Sequence, residues 1–81
     1  MQDFRTSDIQ VAAVLLHTNC RFLGLDRTTD PKRIAFIFED SEKLQNVISQ
    51  YWRDDLLCKA QSLLVDFKRA KHILFDYQDQ R

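Results

Sequence analysis

The sequence predicts an α+β domain in which a helix, an antiparallel β-hairpin and two further helices follow one another, with a short third edge strand as an option at 56–58. Three observations carry this. Apolar residues recur at helical spacing behind capping residues in three places, two β-favouring runs flank a turn, and nothing in the chain reads as a linker. With one Gly and one Pro in 81 residues, and 44% hydrophobic against 30% charged, the composition is that of one folded domain over residues 1–81.

The first helix is expected to start near Thr6-Ser7-Asp8-Ile9-Gln10. Ser7 followed by Gln10 has the form of a capping box, and Asp8 suits the positive end of the helix dipole. Ile9, Ala12, Ala13 and Leu16 make one apolar face, while Val11, Val14 and Leu15 make the other flank apolar too. Such a helix is buried on most sides, either as the central element or in a subunit contact. Asn19 can end it, because Asn tolerates the left-handed turn.

Residues 21–27 and 34–38 read as strands, the second apolar on both faces and therefore covered in part on each. Between them Asp30 can open a type I turn whose first corner Pro31 presets, so a hairpin is the simplest topology. The second helix takes Asp40 as its expected N-cap and carries one stripe of Leu44, Val47, Ile48, Tyr51 and Trp52. Acidic residues in Arg53-Asp54-Asp55 oppose its C-terminal dipole and end it. The third helix is expected over about residues 59–77, with Ala60, Leu63, Leu64, Phe67, Ala70, Leu74 and Tyr77 facing the core.

In this order Phe4-Arg5-Thr6-Ser7-Asp8, an Ala-Ala helix, Leu23-Gly24-Leu25-Asp26-Arg27, Phe36-Ile37-Phe38-Glu39-Asp40, Tyr51-Trp52 and Phe67-Lys68-Arg69-Ala70-Lys71 follow one another. Together they resemble a family of short uncharacterised bacterial and phage-associated proteins, classed as a domain of unknown function. The resemblance spans nearly the whole chain and implies the same fold in a bacterial or mobile-element setting, without an activity. The chain departs at Asn19-Cys20, where a Gly would end the first helix, and at Arg53-Asp54-Asp55, where a Gly-containing turn would be usual.

No chemical signature stands out. His17 and Cys20 lie three apart, but Cys58 and His72 are separated by roughly 20 Å of helix, too far to complete a tetrahedral zinc site. A single glycine leaves no phosphate-binding loop, and Ser7, Ser41 and the acidic clusters fall where helices begin or end. The chain is thus expected to be non-enzymatic, without cofactor or metal. Two cysteines are too few for a secreted disulfide scaffold, and the longest apolar run of the first half, Val11–Leu16, is far short of the ~20 residues a membrane span needs. A cytoplasmic protein with reduced thiols and no membrane contact is the expectation.

The expected function is a self-associating interaction module whose partner is a second copy or another protein. Twelve basic residues against twelve acidic ones leave no repulsion to keep copies apart. Trp52 is expected chiefly as a core anchor at the end of the second helix, the other reading being an interface cluster of Tyr51, Trp52 and Arg53. The alternative function is a nucleic-acid-associated accessory protein of a phage or mobile element. It would contact phosphates through Arg27, Lys32 and Arg33 at the hairpin tip and Lys68, Arg69, Lys71 and His72 on the last helix. Balanced charge places that reading second.

Overall fold

The computed structural model describes residues 3–27 and 33–79, with side chains as far as Asp76. Among them the order is β1 (Asp3–Thr6), α1 (Ile9–His17), β2 (Phe22–Asp26), β3 (Ala35–Glu39), α2 (Glu42–Trp52) and α3 (Ala60–Asp79). The expected α+β class and the antiparallel β2–β3 hairpin are both present, and β1 completes a sheet of order β1-β3-β2. The third strand therefore comes from the N-terminus and not from residues 56–58, which have no regular structure. Leu56 turns inward against the core while Leu57 is 94% exposed, so this segment lies against a helix surface and not beside a strand.

Both expected helix caps shift by one residue. Asp8, not Ser7, caps α1: its Oδ1 accepts from the Gln10 and Val11 N–H groups at 2.9 and 3.4 Å. Ser41, not Asp40, caps α2, accepting from Leu44 N–H at 3.1 Å, while the Asp40 carboxylate accepts from Gln45 Nε2 at 2.9 Å. At the other end the two helices stop in the same way. Asn19 (φ 63°) and Asp54 (φ 61°) take the left-handed conformation. Cys20 N–H donates to Leu15 O, and Asn19 N–H to Leu16 O; Asp55 N–H donates to Gln50 O, and Asp54 N–H to Tyr51 O. These are paired Schellman closures, built on Asn and Asp where glycine is usual.

In the sheet, Phe4, Thr6, Phe22, Leu25, Phe36 and Phe38 share the inner face, with the Phe22 and Phe38 ring centroids 5.5 Å apart. The register slips between Phe22 and Gly24, where Gly24 takes φ 148°, a backbone angle that side-chain-bearing residues rarely adopt. On the outer face the Arg5 guanidinium on β1 donates to the Asp26 carboxylate on β2, reaching across β3. This pair lies over the row that holds Ile37 and Ala35, which explains why the second apolar face of β3 is half-buried without a helix on it.

All six residues Val11–Leu16 of α1 are buried. They need no second subunit: Phe36 and Phe38 of the sheet, Leu44 and Val47 of α2, and Ala70 of α3 join them in one core. The small residues Ala12, Ala13 and Ala70 are nearly inaccessible, and α3 makes its extensive contacts with α1. Leu63, Phe67, Ala70 and Leu74 of α3 face inward as expected, whereas Ala60 and Leu64 face out; the Tyr77 side chain lies outside the described ones. The inward stripe is centred on Leu63, Phe67 and Ala70, and Leu64 sits about 100° round the helix from Leu63. His17 Nδ1 lies 3.1 Å from Asp66 Oδ2 and joins the end of α1 to α3. Because Phe38 is fully buried at the centre of the sheet, Phe38→Ala should cost about 3–5 kcal/mol in urea unfolding, with the far-UV spectrum of the surviving folded fraction unchanged.

Candidate functional site: an apolar trough beside the third helix

Where α2 ends and α3 begins, the chain leaves a trough of apolar side chains open to solvent. Its floor is Val14 of α1, Tyr51 of α2 and Leu63 of α3. On one side Ala13, Leu64 and Phe67 extend it, with Gln10 the polar member, as a hollow of about 290 Å³. On the other side Leu56, Ala60 and Cys58 continue it past Asp54, adding about 300 Å³. The trough exists because the turn 53–59 carries the chain away from α2 before α3 returns across α1, and no side chain fills the angle between the helices.

Leu64, which lines the trough, is 62% exposed, and Trp52, which is not a lining residue but touches Tyr51, is 66% exposed. Trp52 is thus no core anchor, contrary to the sequence expectation. Leu44, Val47, Ile48 and Tyr51 occupy the inner face of α2, and Trp52, about 90° from their centre and last in the helix, falls outside it. Its ring meets Tyr51 edge-on at 5.0 Å and 70°, so Tyr51 holds it from below while its outer side faces water. Arg53, the third member of that cluster, caps the helix and pairs with Asp55 through Nε at 3.2 Å.

Among the described residues the basic side chains expected to contact phosphates fall on two separate elements. Arg27 and Arg33 are exposed beside the hairpin loop, and Lys32 lies outside the described residues. Lys68, Arg69, Lys71 and His72 are exposed on α3, whose extensive contacts are with α1 and not with the hairpin. Two of the four have neighbours: Arg69 lies 3.8 Å from Asp66, and the Lys71 ammonium sits over the Phe67 ring at 4.8 Å. On α3 the row Leu64, Lys68, Lys71, Phe75 repeats at steps of four, three and four, so lysines stand between two exposed apolar side chains.

The Cys and His residues are dispersed. His17 is turned to Asp66, buried Cys20 has Thr18 Oγ1 3.6 Å from its sulfur, and Cys58 is half-buried in the trough while His72 faces solvent. Among the described residues no three His, Cys, Asp or Glu side chains gather as metal ligands, and no helix is long and apolar enough to cross a membrane. The trough was not legible beforehand, since Val14, Tyr51, Leu63, Leu64 and Phe67 read singly as positions on apolar helix faces. Trp52→Ala should change the unfolding free energy by less than about 1 kcal/mol, and Tyr51→Ala by clearly more, when both are measured by urea titration.

A family described as a domain of unknown function, DUF5659, matches residues 1–76. No curated protein and no solved structure matches the chain. The match covers all but the last five residues, and the chain is a member of the DUF5659 family.

Proposed function

We propose that this domain is a non-catalytic interaction module that self-associates and receives the apolar ridge of a partner helix in its trough. The observation that supports it is the trough itself, an apolar hollow between helices whose lining residue Leu64 is left in water, with exposed Trp52 against its Tyr51. Large uncovered apolar side chains grouped round a concave surface mark contact sites, and Trp and Tyr together are frequent in their energetic centres. A groove between two helices accepts an amphipathic helix through side chains spaced three and four apart.

The rim chemistry narrows the partner. Lys68 and Lys71 follow Leu64 along α3, with Lys71 over the lining residue Phe67, so acidic residues flanking the incoming ridge are favoured at that end, away from Asp54 at the other. Two synthetic amphipathic peptides with the same leucine ridge, one flanked by Glu and one by Lys, test this by calorimetry. The Glu-flanked peptide is expected to bind more tightly, and Leu64→Glu to weaken it at least about tenfold, a loss of ~1.4 kcal/mol, with the melting temperature unchanged. Equal affinity for both peptides, or binding indifferent to Leu64→Glu, would contradict the reading.

A further inference from the structure

The sheet has two edges, and the sequence treats them differently. At the β2 edge the ladder is interrupted by the bulge at Phe22/Gly24, with Gly24 at φ 148°, a device that keeps a further strand from pairing. Strand β1 is short and charged but has no bulge. It pairs with β3 through four consecutive residues in unbroken register, and it contains neither Pro nor Gly.

The register fixes which groups β1 offers. Glu39 N–H donates to Arg21 O, so the peptide groups of Glu39 face β2. Successive residues of a strand turn theirs to opposite sides, which directs those of Phe38 and Phe36 to β1. Their partners Phe4 and Thr6 answer them, and the N–H and C=O groups of Asp3 and Arg5 point out from the open edge.

We propose that β1 pairs antiparallel with β1 of a second copy about a twofold axis at Phe4, with Asp3 opposite the partner's Arg5 and Arg5 opposite the partner's Asp3. The proposal rests on the self-associating part of the function proposed above and leaves the trough free. Centring on Phe4 makes both outward residues of each strand exchange their peptide hydrogen bonds, four in all. It also puts a carboxylate against a guanidinium twice on the outer face. Centring on Asp3 or on Arg5 would set like charges opposite one another, which destabilises a strand pair. A row of lysines would keep a second copy away; Asp3 alternating with Arg5 is complementary to itself. In the single chain the Arg5 guanidinium reaches away from the open edge to Asp26, so the contact with the partner's Asp3 re-aims it from one carboxylate to the other. The result is one six-stranded sheet, with the two bulged β2 strands at its outer edges.

Sedimentation equilibrium over a concentration series tests the pairing. The unaltered chain is expected to dimerise. Asp3→Lys, which leaves the Arg5–Asp26 pair in place, should weaken the dimer about tenfold or more. Asp3→Pro should do the same by removing an outward N–H that the intrachain ladder does not use, and proline is tolerated at the first position of an edge strand. Circular dichroism and the melting temperature check that both variants fold. A dimer untouched by Asp3→Lys and Asp3→Pro but lost in Leu64→Glu would overturn the edge pairing and assign self-association to the trough. A mass that stays monomeric at every concentration would overturn self-association itself.

Discussion

The rest of the molecule is arranged around α1, a nine-residue helix that is apolar on almost every side. A helix with one apolar stripe needs one neighbour; this one needs to be enclosed. Its six residues Val11–Leu16 are buried because the sheet, α2 and α3 each bring residues to the same cluster. Ala13, on the row Gln10, Ala13, Val14 and His17 that α1 turns to α3, and Ala70 of α3 are nearly inaccessible, so small side chains let the two helices approach closely. A larger residue at either would push α3 outward and open α1 to water.

That enclosure explains where the surface features fall. Once α3 has turned Leu63, Ala70, Ile73 and Leu74 into the core, Leu64 and Phe75 are left exposed. The chain meets α3 only after the turn that begins at Asp54, so the angle between α2 and α3 stays open as the trough. The outer face of the sheet has no helix either, and the Arg5–Asp26 pair spans it instead, with the Asp26 side chain 8% exposed. One element takes up most of the covering that the described elements provide, and apolar side chains such as Leu64 and Phe75 stay exposed.

The sequence disclosed most of the fold and little of the site, for physical reasons that can be named. Long periodic segments were legible: α2 and α3 begin within two residues of their expected positions, and Asn19 ends the α1 region in the left-handed turn its side chain allows. Strand β1 was missed because four residues carry only two alternations, which the neighbouring capping pattern Thr6-Ser7-Asp8 outweighed. Its signal, Asp3-Phe4-Arg5-Thr6 with polar and apolar residues in turn, is visible once a strand is sought. Trp52 was misplaced because helical spacing marks a stripe without marking where its edge runs dry. Leu64 was misplaced for the same reason, and that error hid the trough it lines. Asp54 shows the opposite case: a departure from the expected glycine marks a real left-handed closure.

Native-state hydrogen exchange measures the enclosure of α1 most directly. The amides of Val14, Leu15 and Leu16 donate within a helix that the sheet, α2 and α3 surround, so they should exchange only when the whole domain unfolds. Their exchange free energies should then equal those of the β3 amides and the global value from urea titration. Exchange of α1 through a cheaper opening, with β3 still protected, would show that α3 lifts away on its own and that α1 is not what the fold is built around.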